Sequence, residues 1–217
     1  MKALFIQDFR YMLTQKSFLV LIALVGIVLA LTQNDNYIFV IGYLGFMGMI
    51  TGMMSVTMDD QNHGLTFLFS LPIDRRVYVR EKYVFIVLMG VLFSSVATAL
   101  CLLFRSFADY KAPLDEILAT ALGTLFVMLL FVAIMLPLQL KFGAERARLA
   151  SFIAIGFFFA AVLIAGLVIN FADALPFIQA FLSLSPVALT GIAIAFLIVC
   201  LRISYSASLR VMLRREF

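Results

Sequence analysis

The sequence predicts an all-α membrane protein of six transmembrane helices. It adds an N-terminal interfacial amphipathic helix, a short cytoplasmic helix between spans 2 and 3, and a re-entrant extracellular segment between spans 5 and 6. Three observations predict this. Of the 217 residues, 65% are hydrophobic and 13% are charged, with a mean hydropathy of +1.13. A soluble domain is nearer half apolar and about a quarter charged. The apolar residues fall in long runs, and the basic residues fall in short clusters between those runs. The length suits one domain, residues 1–217.

Residues 1–16 place Phe5, Phe9, Met12 and Leu13 on one face at helical spacing, with Ile6 at its margin. Gln7, Arg10 and Thr14 fall opposite, so this helix is expected to lie in the headgroup region. The competing expectation is a plain extension of the first span. Span 1, residues 17–31, is shorter than the about 20 residues a helix needs to cross the hydrocarbon. Local bilayer thinning or flanking residues can make up the length. Val28-Leu29-Ala30 resembles a signal-peptide cleavage site, but the preceding region is long and carries Asp8, so no cleavage is expected.

Residues 33–36 form a polar turn, and span 2 covers 37–58. Its glycines recur at 42, 45, 48 and 52, and Gly48 and Gly52 form a small-xxx-small pair that lets helices approach closely. Gly45, Gly48, Thr51, Gly52 and Ser55 are therefore candidates for a subunit interface or a pathway wall, against plain packing within one subunit. Span 3 covers 83–104 and span 4 covers 117–138, with Pro137 expected to end the helix. A basic loop, 139–148, leads to span 5 at 149–169. The broken apolar stretch 170–185 is too short to cross twice. Ser185 and Pro186 suit the cap and first turn of span 6, residues 187–201.

Six spans put both termini on one side. Fourteen of the sixteen Lys and Arg residues then share that side, and only Arg105 and Lys111 lie opposite. This asymmetry places both termini and the 59–82 loop in the cytoplasm. It also explains the net charge of +4 without nucleic-acid binding.

Several chemistries are excluded. No glycine precedes a lysine, so there is no phosphate-binding G-x-x-x-x-G-K-[ST] loop, and ATP hydrolysis is not expected in this chain. The spans as drawn carry no Asp, Glu, Lys, Arg or His, which argues against proton or sodium coupling. No nucleophile elbow or H-E-x-x-H pair appears. Cys101 and Cys200 sit near opposite membrane faces, where they are apolar fillers and cannot pair. The only histidine, His63, lies beside Asp59 and Asp60. Helix termination, with Gly64 as a C-cap, outweighs a metal or acid–base site there. The chain is therefore expected to hold no catalytic, cofactor or metal site. The hydroxyls Thr51, Ser55, Thr57, Ser94, Ser95, Thr98, Thr120 and Thr124, among many aromatics, suit an amphipathic or apolar cargo.

The central loop carries the sharpest expectation. Leu65, Leu68 and Phe69 stand at i, i+3 and i+4, a one-sided apolar patch for a short helix that Pro72 ends. Asp74 can cap the next helix, whose first turns hold Arg75, Arg76 and Arg80. Such a helix, held between two spans, is a mechanical handle.

These residues bear a family resemblance. Asp59-Asp60 is followed by Phe67-Leu68-Phe69, Ser70-Leu71-Pro72-Ile73, Arg75 and Lys82-Tyr83. Met1-Lys2, Asp8-Phe9 and Lys16 complete the pattern at the start. The chain resembles the small six-span permease subunits of bacterial type-2 ABC exporters, near those of phenol-soluble modulins and other antimicrobial peptides. Members often carry an aromatic where this chain has His63-Gly64-Leu65. The resemblance implies that residues 59–71 are a coupling helix docking a separate ATPase. The docking set is Asp59, Asp60, Leu65, Leu68, Phe69, Ser70, Pro72 and Arg75. It implies a connecting helix at 1–16 and an extracellular re-entrant pair at 170–186. It also implies a bacterial plasma-membrane location, a second permease chain (identical or paralogous), and ATP and Mg bound by the partner ATPase. The cargo expected first is an amphipathic peptide, then a lipid or drug. The alternatives are a non-transporting membrane scaffold or immunity protein and, behind it, an integral-membrane enzyme.

Overall fold

The computed structural model describes residues 2–32, 37–60, 64–70, 73–107, 113–170 and 186–214. They form seven helices, with no strand among the described residues: α1 (Lys2–Thr14), α2 (Lys16–Thr32), α3 (Tyr37–Asp60), α4 (Gly64–Ser70), α5 (Arg75–Phe107), α6 (Leu114–Asn170) and α7 (Pro186–Arg214).

Four stretches are long and apolar enough to cross a membrane: Tyr37–Asp60, Arg75–Leu103, Leu114–Gly143 and Ala188–Arg214. A fifth candidate is the pair formed by α1 and α2, bent by 70° at a break. That bend separates α1 from the axis of α2, as an interfacial helix requires, and disfavours a straight extension. Around α1 the environment splits three ways. Leu4 and Asp8 are buried against the protein, Ile6, Phe9 and Leu13 are exposed apolar side chains, and Arg10 and Thr14 are exposed polar ones. Phe5 meets Phe85 of α5 edge-on, with ring centroids 5.4 Å apart.

Two expectations for the middle of the chain are corrected. Pro137 does not end its helix: α6 runs through it and breaks instead at Gly143, with φ 72° and ψ 176°. Proline removes one backbone hydrogen bond, a loss that packed membrane helices absorb. Glycine alone reaches that positive φ without strain. The expected loop at 139–148 is consequently helical on both sides of Gly143. The span expected at 149–169 lies in the helical second limb of α6. Residues 171–185 of the expected re-entrant segment, including the cap Ser185, lie outside the described residues, and α7 opens at Pro186 as expected.

The core has two parts. Towards one end of the bundle, Ile22, Val40, Ile41, Leu44, Ala97, Cys101 and Ile117 join α2, α3, α5 and α6. Towards the other end, residues of α1, α3, α4, α5, α6 and α7 meet, among them Leu4, Val56, Leu68, Tyr78, Leu136 and Met212. The apolar faces of α2 (Val20, Leu24, Leu31) and α7 (Ile194, Phe196, Val199) stay exposed, as lipid-facing surfaces do. Cys101 and Cys200 are free thiols.

Candidate functional site

The α3 helix presents one stripe to its neighbours. Ile41, Gly45, Gly48, Gly52, Ser55 and Asp59 recur at three- and four-residue steps and are all buried. The facing stripe on α5 is Tyr78, Lys82, Phe85 and Met89, each 0% exposed. In the bundle these stripes interlock through the glycines. A Cβ on Gly48 would stand 2.5 Å from Phe93 Cβ and 2.8 Å from the Met89 carbonyl oxygen. One on Gly52 would stand 2.9 Å from Ile86 Cα, and Gly45 faces Ser94 and Met128. The five residues weighed as a subunit interface or pathway wall, Gly45, Gly48, Thr51, Gly52 and Ser55, are thus placed in contacts within one subunit. The reason is geometric: without side chains, α3 and α5 approach to backbone contact.

At the end of the same stripes lies a buried charge cluster. Lys82 Nζ stands 2.6 Å from Asp8 Oδ2 and 2.6 Å from Asp59 Oδ2. It donates to Ser55 Oγ at 3.3 Å and lies 3.9 Å from Glu81 Oε2. The Tyr78 hydroxyl donates to Asp59 Oδ2 at 3.1 Å, and the ammonium sits 5.2 Å from the Tyr78 ring centroid. Three helices, α1, α3 and α5, are joined through one nitrogen. Taking these charges out of water costs several kcal/mol per ion, which only close pairing offsets. The carboxyls outnumber the ammonium, and both oxygens of Glu81 are buried without a hydrogen-bond partner.

The α4 helix is seated on this cluster. Leu65 and Leu68 are buried in the core, and Phe69 packs edge-on against Tyr78 at 5.7 Å. Each fully buried leucine contributes roughly 1.5–3 kcal/mol. Gly64 does not cap α3; it opens α4, where a Cβ would stand 2.7 Å from the Asp59 carbonyl oxygen. Phe67 is 71% exposed. Between α1, α3 and α4 lies a cavity of about 360 Å³ lined by Gln7, Asp8, Tyr11, Asp59, Phe67 and Leu68, among others.

The start of α5 fits the expectation of a cap. Asp74 Oδ1 accepts from the Arg76 backbone N–H at 3.0 Å, and its carbonyl accepts from Val77 and Tyr78. Arg75 donates to the carbonyls of Met212 and Leu213 at 2.8 and 3.1 Å and stands 5.5 Å from the Phe69 ring. It therefore ties α4 and α5 to the end of α7. About two turns further on, Tyr83 also ties α5 to α7 by pairing with Ser204 and Ser208. Gln139 of α6 donates to Thr57 Oγ1 at 2.6 Å and to the Met53 carbonyl.

The expected docking set is thus divided. Asp59, Leu65 and Leu68 are turned inward, and Phe69 and Arg75 are partly covered by the chain's own helices. Asp60 is half-buried at the end of α3. The side chain of Ser70, and Pro72 and His63 as whole residues, lie outside the described residues. The one-sided apolar patch of α4 anchors the helix to its own subunit. Several hydroxyls weighed as a pathway lining bond back to their own helices: Thr51 to Met47, Ser95 to Val91, Thr98 to Ser94 and Thr124 to Thr120. Asp8, Tyr78, Glu81 and Lys82 are not among the site residues expected from the sequence. Their signal was the continuation of the glycine stripe to Asp59, one residue short of Asp60.

No curated protein and no solved structure matches the chain. A family model described as ABC-2 family transporter protein matches residues 3–212. That span takes in nearly all of α1, the charge cluster, α4 and nearly all of α7, so the chain belongs to the ABC-2 transporter family.

Proposed function

We propose that the chain is the permease subunit of an ATP-driven exporter, and that α4 passes the stroke of a separate ATPase into the membrane. The observation that carries this is the seating of α4. One of its faces is locked into the bundle by Leu65 and Leu68, and Phe67 projects from it, 71% exposed. A helix held this way cannot slide independently. A force on it reaches Tyr78 through Phe69, Asp59 through Tyr78 and Gly64, and α1 through Lys82. Two spans and the interfacial helix then move together.

The docking face differs from the sequence expectation: Phe67 is the contact, and Leu65 and Leu68 are its foundation. ATP and Mg bind to the partner ATPase. A second permease chain, identical or paralogous, completes the translocator. The cation-rich end faces the cytoplasm of a bacterium, with both termini inside and six crossings. The cargo is amphipathic or hydrophobic, first a peptide and then a lipid or drug. The stretches 37–58, 83–104, 117–138 and 187–201 support this, since they carry no ionisable carboxyl, amine or imidazole group.

The test is Phe67→Asp in the chain co-expressed with a partner ABC ATPase. ATPase recovery with the permease should fall by about ten-fold or more, the size expected for an interface anchor, with an unchanged melting temperature. Equal recovery and equal ATP turnover would remove α4 from coupling.

A further inference from the structure

A second site lies between α6 and α7. A cavity of about 460 Å³ is lined by Lys141, Arg210, Val211 and Arg214. The three cations are all exposed, and no carboxylate among the described residues forms an ion pair with any of them. Like charges gathered in one hollow repel each other unless a counter-charge arrives from outside. The chain supplies abundant carboxylate elsewhere, since three acids surround Lys82 alone.

Depth and surroundings say what that counter-charge is. At about 1.5 Å per residue, the stretch of α7 from Ala188 to Arg210 is roughly 33 Å long, against about 30 Å of hydrocarbon. Arg210 thus stands at or beyond the end of the apolar stretch, on the same side as Arg202. Phe142 and Leu213, 41% and 49% exposed, flank the cations, and Lys141 Nζ lies 5.3 Å from the Phe142 ring centroid. Large exposed apolar side chains beside a basic hollow fit an acyl chain beneath a phosphate. They fit a freely soluble anion poorly.

We propose that Lys141, Arg210 and Arg214 bind the phosphate headgroup of an anionic phospholipid. The lipid belongs to the leaflet on the cation-rich side, and its acyl chain runs beside Phe142 and Leu213. Basic pockets between membrane helices hold anionic headgroups by this combination of charge and depth. The bound lipid bridges the end of α7 to α6 next to the break at Gly143.

The test uses the full chain reconstituted in phosphatidylcholine bilayers carrying trace spin-labelled phosphatidylglycerol or phosphatidylcholine. The protein-associated fraction of phosphatidylglycerol is expected to exceed that of phosphatidylcholine by about five-fold. The triple variant K141Q/R210Q/R214Q should bring the ratio near one, and Arg210→Lys should keep it. If the triple variant fails to fold, Arg214→Gln alone decides, with an expected loss of about two- to five-fold. Added inorganic phosphate should leave the preference in place. Equal association of both lipids, or an undiminished preference in the variants, overturns the proposal. So does abolition by free phosphate, which would make this a soluble-anion site. Loss of ATPase co-purification in a variant of a chain without lipid preference would instead assign the cations to a protein partner.

Discussion

Replacing Lys82 by methionine is expected to destabilise the bundle by about 3–5 kcal/mol, the cost of breaking a buried ion pair from one side. The loss comes less from the missing attraction than from what stays behind. Asp8 and Asp59 would remain buried, 3% and 9% exposed, with their countercharge gone. Glu81, already without a hydrogen-bond partner, would lose its nearest cation. Thermal unfolding of the purified chain in detergent reads the effect directly. Asp59→Asn should cost less, because Lys82 keeps Asp8 at 2.6 Å. Combining Lys82→Met with Asp8→Asn and Asp59→Asn should recover part of the loss, since the stranded charges are removed too. A Lys82→Met protein that melts with the parent would show that the cluster does not hold these helices together.

Gly48→Leu should disrupt the chain's own fold before it affects any partner. The new Cβ would stand 2.5 Å from Phe93 Cβ and 2.8 Å from a backbone oxygen of Met89. Overpacking a tight core costs typically about 1–3 kcal/mol. Here one obstacle is helix backbone, which cannot rotate away, so the upper end of that range or loss of fold is expected. Gly42→Leu is the matched control, because no heavy atom stands within 4 Å of its added Cβ. The measurement is the melting temperature of both variants, with a disulfide trap between α3 and α5 to report their separation. If Gly48→Leu melted normally and only separated two permease chains, the stripe would be an interface between subunits.

The spans were legible because their physics is local. A run of apolar residues of sufficient length and the clustering of Lys and Arg need no knowledge of neighbours; α2 and α3 follow closely the boundaries they predict, while α5, Arg75–Phe107, overruns the expected 83–104 at both ends. The Asp74 cap was legible for the same reason, being a contact two residues long. Pro137 misled because its usual effect on a helix is also local. Its neighbours hold the helix on course, and the break moves to Gly143.

The charge cluster was partly legible. Asp59 continues the period of Gly45, Gly48 and Gly52, and Lys82 continues that of Phe85 and Met89, so each was readable as the polar end of a buried stripe. That the two stripes face each other is a long-range fact. So is the arrival of Asp8, which comes from a helix bent by 70° from the next one. The apolar patch Leu65, Leu68 and Phe69 shows the same limit: its spacing predicts a one-sided helix but not what the side meets.

By itself the sequence determined a membrane-embedded, all-helical chain with its cations clustered between apolar runs and a short amphipathic helix between two of those runs. These properties follow from hydropathy, charge and period, which each residue carries wherever it sits. The tertiary structure decided which face of that helix is buried in the bundle, which glycines are consumed inside the subunit, and that Lys82 joins Asp8 to Asp59. Those are contacts between residues distant in the chain. Their existence depends on how helices cross, and no local property of the residues encodes that angle.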